Sequence, residues 1–326
     1  MNYDKLTQKK QQLDRFKPLP HELVHNLDNW FKIELTYTSN AIEGNTLTRL
    51  ETAVILEKNL TVGGKSLKEH VEATNHAKAL DFVRLLAQKK PAQLTNNDIL
   101  AIHHIILKGL DDENSGRYRS AAVRIAGSTV VLPNPLKVPF LMDHFQIWLT
   151  SQQDLHPVAF AGEAHYRLVR IHPFVDGNGR TARLLMNLLL MMTGYPPAII
   201  RKSDRLLYIG ALEKAQLGGS KAPYEQIIAR ATMRSLNIYL QAIQGKSAML
   251  DNTNTDDLLK IGELAKLAGE AVSTIRYWTH EGLLDVATMT PSGYQMYAIN
   301  MVERCQQIQK LKSGRFTLAE IKQQLP

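Results

Sequence analysis

Residues 171–183 read IHPFVDGNGRTAR, and the apolar pattern RTARLLMNLLLMM follows at once in residues 180–192. Gly177 and Gly179 are unfavourable in a helix interior, so the segment predicts a glycine-rich loop that ends where a helix begins. The first N–H groups of such a helix have no intrahelical acceptor and lie at the positive end of the helix dipole. The segment therefore predicts an anion-binding site at a helix N-terminus.

The charged side chains of this segment narrow the choice of anion. Arg180 and Arg183 lie three residues apart, on one face of the first helical turn. Two guanidinium groups suit a polyphosphate better than a single carboxylate. Asp176 is placed to hold Mg²⁺ against phosphate oxygens, and His172 is a candidate general base near neutral pH. A Gly-x-Gly loop alone is weak evidence, but this combination within residues 172–183 favours a catalytic phosphate site.

The same segment resembles the signature of the Fic family, in which His-Pro-Phe, an acidic residue, Gly-Asn-Gly-Arg and a final Arg recur at this spacing. The resemblance extends in looser form from about residue 36 to residue 239. It implies a mainly α fold, with a helical Fic core and a β-hairpin flap. It also implies transfer of AMP from Mg-ATP to a serine, threonine or tyrosine hydroxyl of a target protein or of the chain itself.

The resemblance implies a role for each residue of the segment. His172 deprotonates the incoming hydroxyl, Phe174 anchors the loop in the core, and Asp176 holds Mg²⁺. The implied nucleotide-binding residues are Gly177, Asn178, Gly179 and Arg180 at the α- and β-phosphates, Arg183 at the γ-phosphate, and Tyr208 and Leu212 at the adenine.

Residues 116–134 break the helical pattern of the chain. Two β-prone runs, 122–125 and 129–132, flank Gly127 and Ser128 and predict a β-hairpin that Pro133 and Pro135 close. The resemblance implies that this hairpin is the family's flap, which docks a target segment by strand addition. The docking residues are then Val123, Arg124, Ile125, Ala126 and Gly127.

An inhibitory motif is expected at residues 39–44, where the chain reads SNAIEG. Glu43 by itself is typical of a solvated glutamate at a helix end. The motif resembles the inhibitory helix of many Fic proteins, which implies that Glu43, steadied by Ser39, pairs with Arg183 and blocks the γ-phosphate site of its own chain. Some family members use this glutamate to remove AMP by orienting a water, and the sequence leaves open which direction dominates.

Helical periodicity and capping patterns organise the remainder of the first 244 residues. Thr48 with Glu51 and Thr95 with Asp98 are expected capping boxes. We divide the chain into N-terminal helices at 1–95, a catalytic core at 96–244, a polar linker at 245–256 and a separate tail at 257–326. Helices are predicted at 67–87, 99–107, 138–150, 157–170, 179–193, 203–216 and 223–243.

The tail, residues 259–325, resembles the winged helix–turn–helix of MerR-type regulators. Its pattern predicts helices at 261–268, 272–280, 298–312 and 317–325, with a hairpin-like wing around residues 291–293. Ala271 stands where that family usually has a capping serine, and Gln295 replaces the usual wing arginine. A protein-interaction module is therefore the alternative to DNA binding. The resemblance places the DNA contacts on Ser273, Thr274, Arg276 and Tyr277.

Composition and charge indicate the expected location of the protein and the charge of its ligand. The single cysteine, Cys305, excludes a disulfide framework, and no stretch of the 326 residues is long and apolar enough for a membrane span, so a cytoplasmic protein is expected. The net charge is +8, but residues 251–326 carry 8 basic and 9 acidic residues. The basic excess therefore lies in the first 250 residues, where it suits an anionic ligand.

Two other functions are alternatives to AMP transfer. A zinc hydrolase would use His165 and His172, but no HExxH or CxxC spacing is present, so His165 is interpreted as structural, like His70, His103 and His104. A DNA-binding transcription regulator with a Fic-fold sensor domain is the second alternative, and the intact signature argues against it. ATP, a target protein and DNA are the candidate partners, and a homodimer is a candidate assembly.

Overall fold

The computed structural model of the chain describes residues 3–151, 154–245, 258–289, 293–298, 301–313, 316 and 320–322. The chain divides into two compact units, Met1–Ser247 and Ala248–Pro326. The predicted linker lies outside the described residues except for Gly245. We call the two parts unit 1 and unit 2.

Unit 1 is built from helices, and the predicted helix positions are confirmed. Its described helices are α1 (Asp4–Asp14), α2 (His21–Ile42), α3 (Arg49–Lys58), α4 (Leu67–Leu86), α5 (Asn96–Leu107), α6 (Val138–Thr150), α7 (Pro157–Ile171), α8 (Asn178–Met192), α9 (Arg205–Gln216) and α10 (Ala222–Ile243).

Local capping fixes where several of these helices begin. Thr48 and Thr95 accept hydrogen bonds from the backbone N–H groups of Glu51 and Asp98, which complete the two predicted capping boxes. Ser66 and Glu69 form a third one at the start of α4, which the sequence analysis did not identify. These boxes satisfy N–H groups that helix geometry leaves without acceptors.

Helix α8 is the centre of unit 1, and it packs against α7, α4, α5 and α2. Its side chains from Arg180 to Leu190 are buried on every face, so its apolar run fills the core. None of the helices in the described ranges is long and apolar enough to cross a membrane. The segment 171–183 therefore ends in the first turns of a helix that is buried on every face, which leaves little freedom for the position of its first turn.

The expected strand pairing is absent from residues 116–134, all of which the structure describes. Residues 121–133, here called the flap segment, form only the turn, in which the Ser128 N–H donates to the Ile125 carbonyl at 3.1 Å. Arg119 supplies the reason. Its guanidinium donates to the carbonyls of Ala121 (3.2 Å) and Pro133 (2.7 Å), and thus ties the two ends of the segment through a side chain.

Unit 2 has the predicted order of a winged helix–turn–helix. Its helices pack around a core that includes Ile275, Trp278, Tyr297 and Cys305. The wing tip at 290–292 and most of the helix predicted at 317–325 lie outside the described residues. The elements are β1 (Leu258–Lys260), α11 (Ile261–Ala268), α12 (Val272–His280), β2 (Thr288–Met289), β3 (Gln295–Ala298) and α13 (Met301–Ser313), and the antiparallel sheet has the order β1-β3-β2.

Candidate active site

The catalytic loop, residues 172–177, connects the end of α7 to the start of α8. His172 ends α7 in the left-handed conformation, with φ 51° and ψ 59°, and its N–H donates to the Leu168 carbonyl at 2.9 Å. Gly177, with φ 76°, caps α8. A positive φ is uncommon outside glycine, so the surrounding contacts must hold His172 in this conformation.

Phe174 fixes the middle of the loop. Its side chain is completely buried. The Asn178 side chain binds both polar groups of its backbone, because Oδ1 accepts from the Phe174 N–H at 3.0 Å and Nδ2 donates to the Phe174 carbonyl at 2.9 Å. The Asn178 amide is therefore used inside the loop. The group of Asn178 that can still donate a hydrogen bond to an anion is therefore its backbone N–H.

His103 holds the loop from α5. Its ring stacks on Phe174, with centroids 3.6 Å apart and planes 5° apart. The Gly116 N–H donates to His103 Nδ1 at 3.0 Å, so the proton lies on Nε2, which donates to the Asp176 carbonyl at 3.0 Å. Burial lowers the pKa of His103 to about 4, which keeps this neutral tautomer. His103 was expected to be structural, and its partners were not visible in the sequence.

Arg119 joins the catalytic loop to the flap segment. Besides its bonds to the flap ends, its Nε donates to the His172 carbonyl at 2.8 Å, and its backbone N–H donates to the Pro173 carbonyl at 2.9 Å. The side chain is only 3% exposed. The role of Arg119 was not expected, because the segment that carries it has no motif of its own.

The first turn of α8 has the properties of an anion site. Helix geometry leaves the N–H groups of Asn178, Gly179 and Arg180 without intrahelical acceptors, and no side chain caps this end. The buried guanidinium of Arg180 lies between the carboxylates of Asp176 (3.2 Å) and Glu72 (3.4 Å). Its Nε has no hydrogen-bond partner among the described residues. An anion at this turn would meet both backbone and guanidinium donors.

Glu43 occupies one side of this anion site. Its Oε1 accepts from Arg183 Nη2 at 2.6 Å, and it lies so close to Gly179 that a Cβ at position 179 would collide with it. Arg183 is also held by Ser39, whose Oγ accepts from Nε at 3.0 Å and whose carbonyl accepts from Nη2 at 2.9 Å. The structure thus brings the inhibitory motif, Arg183 and the start of α8 together.

The end of α2 is fixed from two further directions. Arg205 donates to the Ile42 carbonyl at 2.7 Å. On the other side, Asn45 Nδ2 donates to Glu72 Oε2 at 2.9 Å, while Glu72 Oε1 faces Arg180. A single carboxylate, Glu72, therefore contacts both the chain that follows the inhibitory motif and the arginine of the anion site. Neither Glu72 nor Arg205 belongs to a sequence motif that would mark it.

His172 faces a cleft beside the anion site. Burial lowers its pKa to about 4, and the nearby Arg119 acts in the same direction, so the imidazole is neutral at pH 7 and able to accept a proton. The cleft brings together the predicted residues of four segments. Its lining includes Glu43, Ile125, Ala126, Gly127, His172, Gly179, Arg183, Tyr208 and Leu212.

A chain of buried hydrogen bonds supports Tyr208. Its hydroxyl contacts His165 Nε2 at 2.7 Å, and His165 Nδ1 contacts the Tyr224 hydroxyl at 2.8 Å. The Tyr224 hydroxyl donates to the Gly162 carbonyl, so it accepts from His165, and the Tyr208 hydroxyl donates to His165. His165 is therefore a satisfied core histidine, as expected. Among the described residues, no group of three or more His, Cys, Asp or Glu could hold a metal ion.

The chain is similar to known proteins in both sequence and fold. The model of the Fic/DOC family matches residues 93–190. A Fic domain containing signaling protein from Bacteroides thetaiotaomicron has a TM-score of 0.69 and 31% identity, with coverage of 76% of this chain and 99% of that chain. The chain belongs to the Fic family. Fic-1 from C. elegans is a further structural neighbour, with a TM-score of 0.67, 33% identity and coverage of 74% of this chain and 72% of that chain. Unit 1, which contains the residues that match the family, is also called the Fic unit.

Two relatives of the Fic unit carry the name protein adenylyltransferase Fic. The one from Aedes aegypti is 43% identical over 212 residues, which cover 64% of this chain and 42% of the relative. The one from Nematostella vectensis is 44% identical over 206 residues, which cover 63% of this chain and 48% of the relative. The chain thus spans less than half of the length of either relative.

Outside the Fic unit, the model of the MerR HTH family regulatory protein matches residues 259–326. The predicted contact residues lie on α12, where Ser273, Arg276 and Tyr277 are exposed and Thr274 is half-buried. No side chain caps α12 at Ala271, as its sequence suggested. Gln295 lies on β3, and its side chain accepts a hydrogen bond from the Tyr297 hydroxyl.

Proposed function

We propose that the chain is a protein adenylyltransferase, which transfers AMP from Mg-ATP to a serine, threonine or tyrosine hydroxyl of a target protein or of the chain itself. One observation carries the proposal: a neutral histidine, His172, faces the same cleft as an anion-binding helix N-terminus. The relatives named protein adenylyltransferase Fic support it.

In this reaction the acceptor hydroxyl oxygen bonds to the α-phosphorus of ATP. His172 accepts the hydroxyl proton, the bond from the α-phosphorus to the bridging oxygen breaks, and pyrophosphate leaves. The N–H groups of Gly179 and Arg180 and the Arg180 guanidinium stabilise the phosphate charge. Tyr208 and Leu212 line the side of the cleft assigned to the adenine.

Asp176 is the residue proposed to bind the Mg²⁺ that accompanies ATP. Its side chain is 64% exposed, and one oxygen already contacts Arg180. A lone carboxylate beside a phosphate site fits Mg²⁺, which usually takes one or two protein carboxylates together with phosphate oxygens and water. When bound, the ion neutralises phosphate charge.

Autoinhibition by Glu43 is part of the proposal. Its carboxylate uses Arg183, the arginine assigned to the γ-phosphate, and lies against Gly179. ATP would then bind with its γ-phosphate displaced and its α-phosphate out of line with the incoming hydroxyl. The same carboxylate could orient a water for removal of AMP, since it lies in the cleft that His172 faces.

The test is AMP incorporation from labelled ATP by the wild type, Glu43→Gly and Glu43→Gly/Arg183→Ala proteins. We expect Glu43→Gly to raise self-modification from near background to easily detected, because Arg183 is released for the γ-phosphate. The double variant should lose this gain. Ser39→Ala should act in the same direction as Glu43→Gly but more weakly.

Equal incorporation by the wild type and Glu43→Gly would refute autoinhibition but not transfer. Absence of incorporation in every variant, with ATP and with candidate acceptors, would refute transfer itself. An AMP-modified protein incubated with the wild type and with Glu43→Gly tests the removal reaction, which should depend on Glu43.

DNA binding by unit 2 is a second candidate function, and the exposed Arg276 and Tyr277 on α12 favour it. Affinity for duplex DNA should then fall steeply with salt, and Arg276→Ala should weaken it. The alternative is a protein-docking module. If residues 257–326 show no salt-dependent DNA binding at micromolar concentration, the docking module is favoured.

A further inference from the structure

We propose that a second cleft of unit 1 binds an acidic stretch of the target protein, about three to four residues from the acceptor hydroxyl. This inference rests on the proposed function and names the chemistry of its substrate. The cleft, here called the basic cleft, lies where α6, α7, the start of α10 and the end of the flap segment meet. Its lining includes Pro133, His144, Glu163, Tyr166, Arg170 and Lys221.

Positive charge exceeds negative charge in the basic cleft. Its acidic residue, Glu163, is already paired with two cations, Arg167 at 2.8 Å and Lys221 at 2.7 Å. Arg170 is exposed and has no ion-pair partner among the residues that the structure describes. Arg167 is further held by the Trp148 ring, 4.2 Å from its guanidinium carbon. Arg170 is therefore the cation that is available to a partner's carboxylate.

The remaining surface of the basic cleft is mainly apolar. Leu141, Phe145 and Ile171 contribute to its lining. Phe140, which directly precedes Leu141 on α6, is 63% exposed, and its ring makes an edge-to-face contact with the ring of His144. A peptide with an apolar residue next to carboxylates matches this mixture. A nucleic acid matches it less well, because it requires a row of phosphate contacts.

Residues that are close together in the sequence line the basic cleft and the active-site cleft. Residues 125–128 and Val130 of the flap segment line the active-site cleft, whereas Pro133 lines the basic cleft. Likewise His172 faces the first cleft, and its neighbour Ile171 faces the second. Val130 and Pro133 are three residues apart, so the chain between them spans at most about 10 Å. A target segment that runs along the flap would therefore carry its acidic residues into the basic cleft.

The experiment measures direct binding of short fluorescent peptides by anisotropy, in the absence of ATP, at low and high salt. All peptides carry one threonine and one valine, and they have aspartate, glutamine or lysine at the third and fourth positions on either side of the threonine. The wild type should bind the aspartate peptide most tightly, and Arg170→Glu should weaken this binding about tenfold. Arg230→Glu is the matched control, because Arg230 is an exposed arginine of α10 outside both clefts.

The outcomes separate the two proposals, since binding requires no AMP transfer. Preferential aspartate-peptide binding that Arg170→Glu reduces and Arg230→Glu does not would support the basic cleft, whatever the transfer assays show. Equal affinity for the aspartate and glutamine peptides, equal loss in the two arginine variants, or equally tight binding of a single-stranded oligonucleotide would overturn it. Thermal melting of both variants verifies that each is folded.

Discussion

The catalytic loop and the flap segment are neighbours joined by Arg119, yet they are held in different ways. The catalytic loop receives hydrogen bonds from Asn178, His103 and Arg119, and Phe174 fixes it in the core. The flap segment has a single described turn, is held by Arg119 at its ends and by Glu213 at that turn, and leaves Val131 92% exposed. The proposed transfer reaction requires a fixed position for His172, whereas the proposed docking of a target requires backbone groups that a partner can still bind.

The largest expected effect comes from removing the base that the catalytic loop positions. His172→Ala should lower AMP transfer by roughly a hundred- to ten-thousandfold, because the other ionisable residue of the loop, Asp176, pairs with Arg180 and is proposed to bind Mg²⁺ instead. The assay is AMP incorporation in the Glu43→Gly background, together with thermal melting. Transfer close to that of the parent protein would contradict the role of His172.

A lower pH should reduce the stability of the structure around the catalytic loop more than that of the flap segment. Burial lowers the pKa of His76 and His165 to about 3, below the unfolded value of about 6.5. The native state therefore binds fewer protons than the unfolded state, and stability is lost as pH falls from about 6.5 toward 3. Each residue contributes on the order of 2 kcal/mol to this loss by pH 5.

Hydrogen exchange and thermal melting at pH 7 and pH 5 measure this effect. Protection should fall around residues 165–180, while the flap segment, whose only ionisable side chain is Arg124, should change little. A melting temperature that stays constant between these pH values would contradict the burial of neutral histidines.

Asn178→Ala should affect the catalytic loop through its backbone. The variant leaves the buried N–H and carbonyl of Phe174 without their partners, so we expect a loss of about 3 kcal/mol in the free energy of unfolding. Transfer should fall as well, because Phe174 fixes the loop. Chemical denaturation measures the first effect. An unchanged midpoint would show that the loop does not depend on Asn178.

The smallest effect is expected in the flap segment. Ser128 donates to Glu213 at 2.6 Å, and this bond anchors the turn to α9. Ser128→Ala should cost less than about 1 kcal/mol of stability, since the turn is solvent-accessible. It should raise the KM for a protein target more than it lowers kcat. A fall in kcat alone would instead place Ser128 among the residues that support the chemistry.

The features that could be predicted from the sequence are those whose residues lie close together in the chain. The segment 171–183 carries its residue types, spacing and helix start together, and the capping boxes at Thr48 and Thr95 are local in the same way. His103, Arg119 and Glu72 act through contacts with residues 40 or more positions away, or with backbone groups that have no sequence pattern. The flap strands were expected from β propensity, but a tertiary contact of Arg119 replaces the ladder.

The two glycines of the signature are restricted for different reasons. Gly177 has a positive φ, so its own backbone favours glycine. Gly179 has no such restriction, and a side chain there would instead meet the Glu43 carboxylate, which belongs to a segment more than a hundred residues away. Across related chains, positions 179 and 43 should therefore covary: a larger residue at 179 requires that the glutamate at 43 has been lost or shortened, and that the neighbouring Arg183 guanidinium, 3.1 Å from a Cβ at 179, can move aside.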